Sequence, residues 1–260
     1  PSMYHQFKEL AEVDITKEAM EVGPTLHYFM GGIRVDSETQ MTRVPGLFAC
    51  GECSGGMHGA NRLGGNSLSD LLVFGMLSGK SAAKYFEGLE GELKVDPETV
   101  DTAIREATAS LNREDGPNPY IVHEELQALL DDGVNIVREK EGLEAALSGI
   151  DSLKVKAESA KAHGSSQYNP GWHEAISLGP LLLTAEAVAR AALAREESRG
   201  AHTRLDFAGE QEDGLEYNIV IKRTDSGMSA EKVKREDPPK ELADIGFASL
   251  AELEGGSIGA

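Results

Sequence analysis

Apolar positions follow two rhythms along this chain, and the change of rhythm marks its organisation. Residues 1–23 read as a short amphipathic helical segment, "SMYHQFKELAEV", followed by a linker. From Pro24 to Gly51 the apolar runs are short and broken by turns: "HYFM", a Gly31-Gly32 turn, "IRVD", a polar turn, then "GLFACGE". These predict short strands. An apolar strand that ends on Gly-Glu is how an α/β sheet presents polar groups at its carboxyl edge.

The period then lengthens. Leu68, Leu71, Leu72, Phe74, Leu77 and Ala82 fall on a helical repeat from Ser67 to Tyr85, with Asn66 or Ser67 as the expected N-cap. Further helices fit Pro97 to Leu111, Pro119 to Val137, Leu143 to Ala162 and Pro180 to Arg199. Asp96-Pro97 and Asn118-Pro119 open the first two with a proline suited to a first turn. Residues 95–200 therefore predict a helical bundle. After "ESRGAHTRLDF" the chain turns acidic, carries one alternating strand in "EYNIVIKR" (216–223), and ends in a loosely structured tail around Pro238-Pro239. The expected fold class is α/β plus α.

Composition narrows the function. The chain has 260 residues, 40% of them hydrophobic, enough for a sizeable core in one or two domains. Its 44 acidic and 25 basic residues leave a net charge of −19, which repels nucleic acid and anionic lipid, so no nucleic-acid partner is expected. Any local cation then stands out. The most apolar stretch, Ala175 to Leu193, contains Glu186 and Arg190, so it predicts a buried or partner-facing helix rather than a bilayer span. Two cysteines make no disulfide framework and no signal-peptide pattern opens the chain, which favours a reducing cytoplasm. The first residue is Pro rather than Met, which suggests a fragment.

The candidate chemistry gathers in "HGANRLGGNSLSDLLVFG" (58–75). Glycines let backbone approach a flat or charged ligand, and a helix starting near Ser67 points unpaired N–H groups at whatever precedes it. Arg62 adds a rigid fork matched to a carboxylate. Together these describe an anion site. A tight loop whose glycines serve turn geometry, with Arg62 pairing a surface acid, explains the same residues. In "PTLHYFMGG", His27 can donate to an anion, although a lone histidine is more often a core or surface group. Glu52 in "GLFACGE" can accept from sugar hydroxyls, or be an ordinary turn acid.

Other motifs carry less. Cys50 and Cys53 have C-x-x-C spacing, but the single pair leads into a glycine loop and reads as two free thiols. No histidines show zinc-ligand spacing, so no metal is expected. Gly65-Asn66-Ser67-Leu68-Ser69 misses the last glycine of a nucleophile elbow. The pyrophosphate fingerprint G-x-G-x-x-G is absent from the sequence.

The motifs "PTLHYFMGGIRVD", "GLFACGE" and "HGANRLGGNSL" resemble, in order and spacing, the flavoprotein subunit of succinate dehydrogenase and its fumarate reductase relatives. "NPGWHEA" (169–175) and "ESRGAHTRLDF" (197–207) are similar to that subunit's carboxyl-terminal helical region. The resemblance covers most of the chain from Pro24 to about Phe207. It implies FAD as cofactor, a dicarboxylate substrate (succinate or fumarate), and electrons leaving through an iron–sulfur subunit to quinone. It implies His27 and Arg62 as substrate contacts and Glu52, Ser67 and Leu68 as flavin contacts. It also implies attachment, through partner and membrane-anchor subunits, to the cytoplasmic face of the cell membrane. The Gly64-Gly65 pair argues against the L-aspartate oxidase branch. In the family, the pyrophosphate fingerprint, the flavin-linked histidine and the proton-transferring arginine lie upstream of these motifs. The resemblance thus leads us to expect the carboxyl-terminal part of such a flavoprotein, with no catalytic residue of its own and inactive alone. Its parts are then a capping-domain remnant with its return strand (1–34), the last part of an FAD-binding domain (35–92), a helical bundle (93–207) and a strand with tail (208–260). A module that only docks other subunits is the competing expectation.

Overall fold

A computed structural model of the chain describes residues 2–21, 23, 25–91 and 94–249, with the side chain of Phe247 excepted. The expectations for Pro24 and for the tail over residues 250–260 lie outside them. The chain divides into two units, Pro1–Gly88 and Leu89–Ala260.

Among its described residues the first unit has two α-helices, α1 (Ser2–Leu10) and α2 (Asn66–Glu87). The short strands expected between them are not formed. Ile33 makes one parallel bridge to Ser54, Met41 makes one antiparallel bridge to Phe48, and Gly51–Cys53 is a turn of 3-10 helix. A strand needs a ladder, and the described residues offer these segments only single partners. Around Ile33 the approach is unusually close: its N–H donates to Cys53 O at 2.8 Å, and a Cβ on Gly32 would fall 2.6 Å from that same oxygen. Only glycine fits there. The expected polar turn does form, with the Asp36 carboxylate accepting from Thr39 Oγ1 at 2.8 Å and Thr39 N at 2.9 Å.

The expected cap of α2 also shifts. Gly65, at φ +83°, is the N-cap, and no side chain caps the helix. A left-handed entry suits glycine, so neither Asn66 nor Ser67 occupies that place. The helix rests on the 3-10 turn: Gly51, at φ +73°, lies so near Leu71 that a Cβ would meet Leu71 Cδ2 at 2.7 Å. Farther along, Tyr85 meets Phe48 edge to face at 6.2 Å. The predicted apolar stripe is present but largely open, with Leu68, Leu71 and Leu72 exposed.

The second unit is built around three helices. α3 (Pro97–Asn112) begins at Asp96, whose carboxylate accepts from Thr99 N at 3.1 Å. α4 (Pro119–Gly133) begins at Asn118, which accepts from Tyr120 N at 3.0 Å. α4 ends four residues before the expected Val137, because Val137–Arg138 forms a short strand, β1. α5 (Lys140–Glu158) follows. α6 (Pro170–Ala194) starts ten residues before the expected Pro180. Its N-cap is Asn169, accepting from Trp172 N at 3.0 Å, and Pro180 lies within the helix.

Helices α4, α5 and α6 pack on one another around Val122, Leu126, Leu143, Ile150, Leu178 and Leu182. Gly133 lets α4 and α5 close up, since a Cβ there would come 2.5 Å from Gly142 O. α6 is long and apolar enough to cross a membrane by length and composition. Here, however, it is a bundle helix with Glu186 buried on its inner face. Burial alone would raise the Glu186 carboxyl, but hydrogen bonds from Lys154 and Arg190 outweigh it and hold the group below its usual value.

Beyond α6, Thr203–Arg204 forms β2, parallel to β1 with Val137 opposite Thr203. Buried Glu197 accepts from Arg195 at 2.8 Å and from Arg199 at 3.1 Å, while buried Arg204 donates to Ala192 O at 2.9 Å. The expected strand is β3 (Tyr217–Thr224), paired antiparallel with β4 (Gly227–Lys234) across an Asp225-Ser226 turn. The tail after Pro239, expected to be loose, forms α7 (Lys240–Phe247).

Candidate functional site

Two segments of the first unit meet at an aromatic ring. The stretch after Gly23 brings Tyr28 beneath Arg62, whose guanidinium carbon lies 4.4 Å from the ring centroid. Arg62 belongs to the glycine loop that opens α2. Its Nη1 donates to Leu63 O at 3.1 Å, and its Nε is buried without a hydrogen-bond partner among the described residues. No ion pair reaches it there, despite the acidic balance of the chain.

Behind the ring is a polar cluster that no sequence motif announces. The Tyr28 hydroxyl donates to Asp70 Oδ2 at 3.2 Å, and His58 Nε2 lies 3.2 Å from that hydroxyl and 3.4 Å from the same carboxylate oxygen. Both neighbours present oxygen lone pairs to Nε2, so that nitrogen carries the proton. The His58 and Asp70 side chains are almost wholly enclosed. Burial first, then the charge of Asp70, pushes the Tyr28 phenol above its ordinary value, so it remains a neutral donor. His58 opens the glycine motif and Asp70 interrupts the apolar repeat of α2. Those two oddities are the signals the sequence offers.

The expected site residues are placed unevenly. His27 is exposed and immediately precedes Tyr28, so its backbone is one residue from the Arg62 platform. Glu52 is exposed on the 3-10 turn, where Oε1 accepts from Phe29 N at 3.1 Å and ties that turn to the same segment. Ser67 is half-buried in the first turn of α2, and Leu68 beside it is exposed. Thus the segment 27–29 joins Arg62, through Tyr28, to Glu52, through Phe29, whereas among the described residues no hydrogen bond or ring contact brings in the side chains of His27, Ser67 or Leu68. Cys50 and Cys53 are free thiols, with Cys53 Sγ donating to Cys50 O at 3.3 Å. Among the described residues no group of three metal-ligating side chains occurs.

Residues 1–68 match the FAD binding domain family, and residues 123–242 match the fumarate reductase flavoprotein C-terminal family. The chain belongs to the succinate dehydrogenase and fumarate reductase flavoprotein family. A succinate dehydrogenase flavoprotein subunit of Coxiella burnetii is 36% identical over 80% of this chain and 37% of its own length. The fumarate reductase flavoprotein subunit of Escherichia coli is 37% identical over 81% of this chain and 35% of its own length. The Mycobacterium smegmatis Sdh1 complex in the apo form contains a chain 46% identical, with a TM-score of 0.88, covering 98% of this chain and 44% of that one. This flavoprotein chain therefore spans less than half the length of these relatives.

FAD is the cofactor of the family, and the residues present fit it. A Cβ at Gly59, Gly64 or Gly65 would meet nothing within 4 Å, which leaves open space along the loop. Exposed Leu63 and Leu68 supply apolar surface beside the uncapped N-terminus of α2, a combination suited to a flat, electron-accepting ring.

Proposed function

We propose that this chain supplies the dicarboxylate-binding part of a flavoprotein that oxidises succinate to fumarate. The observation that carries the reading is Arg62: a cation in a very acidic chain, held by an aromatic face and paired with no carboxylate among the described residues. The N–H groups of Arg62 not given to Leu63 O are available to a ligand carboxylate, and a partly dry setting strengthens that pair well beyond its worth on an open surface. In this reading His27 binds the other carboxylate, so that both ends of the substrate are fixed. Glu52 accepts from a cofactor hydroxyl, while Ser67 and Leu68 border the ring at the start of α2. When bound, FAD supplies the hydride acceptor. No residue of this chain is assigned to proton transfer.

The same proposal includes the four-part division into residues 1–34, 35–92, 93–207 and 208–260. It also includes an iron–sulfur partner, quinone as final acceptor, and attachment to the cytoplasmic face of the membrane through anchor subunits. The 46% identity to the Sdh1 chain supports the oxidative direction. Fumarate reduction is the second reading, supported by the 37% identity to the Escherichia coli fumarate reductase flavoprotein. The test is succinate-dependent dye reduction by the assembled flavoprotein, with fumarate-dependent reoxidation measured in parallel. Faster succinate oxidation supports the first reading, faster fumarate reduction the second, and neither activity would refute both.

A further inference from the structure

Arg62 faces an unusual choice of partner. The chain has 44 acidic side chains, yet among the described residues none pairs with Arg62, and its guanidinium lies over Tyr28 instead. The two kinds of support differ chemically. A protein carboxylate would neutralise the cation and occupy the edge of the fork that a ligand carboxylate needs. An aromatic face attracts the cation without neutralising it, so the N–H groups other than the buried Nε and the Nη1 hydrogen given to Leu63 O stay free for a ligand.

The ring is itself held. Its hydroxyl donates to Asp70 at 3.2 Å, and His58 packs against it edge to face at 5.5 Å with an interplanar angle of 77°. A phenol that donates to a carboxylate gains electron density in its ring, which improves the ring as a cation partner. Asp70 is buried on α2 and His58 is nearly so. The platform is thereby fixed to the helix that follows the Arg62 loop.

We infer that Tyr28, anchored by Asp70 and His58, is the platform that orients Arg62 toward a substrate carboxylate, which makes these three positioning residues. The inference rests on Arg62 being the dicarboxylate contact proposed above. The raised pKa of the Tyr28 phenol fits it, since a neutral ring remains a donor to Asp70.

Calorimetric titration of the assembled flavoprotein with malonate tests the inference, comparing the native chain with Tyr28→Phe, Tyr28→Leu and Asp70→Asn. Tyr28→Phe keeps the ring and is expected to bind within about threefold of the native protein, whereas Tyr28→Leu is expected to bind about tenfold more weakly. Asp70→Asn keeps the shape but not the charge, and about threefold weaker binding is expected. In steady-state assays the same variants raise KM for succinate and leave kcat within about twofold, which a general loss of structure would not do. Equal affinities for the phenylalanine and leucine variants would overturn the platform while leaving Arg62 as the contact. If Tyr28→Leu does not fold, native affinity in Asp70→Asn overturns it instead. A native protein that binds no malonate refutes the underlying site reading, and the inference with it.

Discussion

Between residues 89 and 260 the enclosed side chains include Val122, Leu126, Leu143, Ile150, Leu178 and Leu182, whereas among the described residues between 2 and 88 most are polar: Asp14, Gln40, Ser54, Asp70 and Ser78. Ala49 is the one buried apolar side chain among the described residues of that first stretch. The second unit is stabilised by apolar burial, the dominant favourable contribution to folding. The first keeps its shape through turns, close glycine contacts and a buried polar cluster, and it leaves Leu63, Leu68, Leu72 and Met76 open. Leu68, Leu72 and Met76 recur every fourth position of α2 and so share one open face of that helix. The contrast suits two tasks: the bundle supplies stability, and on the reading proposed above the polar unit carries the ligand chemistry. Binding loops belong to the less stable parts of proteins for this reason.

The largest effect is expected in the bundle. Leu182→Ala empties a site that is 1% exposed and is expected to cost about 2–5 kcal/mol. Thermal melting read through α4 to α6 measures it, and a loss well below that range would mean a core too loose to carry the stability assigned to it. Arg62→Ala probes the other unit: malonate affinity is expected to fall by about a hundredfold, with the melting of the bundle unchanged. Near-native malonate affinity in that variant would remove Arg62 from the site.

A smaller effect comes from pH. Burial lowers the proton affinity of His202 below the ordinary value of 6.5, and the charges of Arg138, Arg204 and Arg195 act in the same direction. The neutral ring accepts from Arg138 Nη1 at 2.7 Å and donates from Nε2 to Arg195 O at 3.0 Å. The unfolded chain takes up this proton first as pH falls, so the contribution is full above pH 6.5 and declines as pH drops below it. The melting temperature of the second unit should therefore fall between about pH 7.5 and 5.5, and His202→Gln should flatten that slope. An unchanged slope would exclude this group. The smallest effect is expected from Cys50→Ser with Cys53→Ser, within about 0.5 kcal/mol in stability and with activity nearly intact. A large loss of activity would give the two thiols a redox role.

Legibility differs between the units for the same physical reason. Helices are local, and the Asp96-Pro97 and Asn118-Pro119 starts are readable because cap and first turn adjoin in sequence. The identical Asn169-Pro170 start is hidden by Pro180, which looks like a helix opening but is accommodated in the interior of the long apolar helix α6. Strands are not local. "HYFM" and "IRVD" have strand composition, but a ladder needs partners, and among the described residues Ile33 bridges only to Ser54. β4 escapes a reading of periodicity because "GMSAEKVK" has a weakly apolar face and owes its pairing to β3. At the site, the glycine loop and Arg62 are legible as motifs. Tyr28, His58 and Asp70 are not, because their juxtaposition joins positions 30 and 42 residues apart in sequence.

If ligand binding belongs to the polar unit and stability to the bundle, malonate should leave its mark on the first alone. Amide hydrogen exchange of the assembled flavoprotein, with and without malonate, reads this directly. We expect slower exchange over residues 27–30 and 58–68 when malonate is present, with α4, α5 and α6 unchanged. Unaltered exchange across the Arg62 loop, or protection confined to the bundle, would contradict that division of tasks.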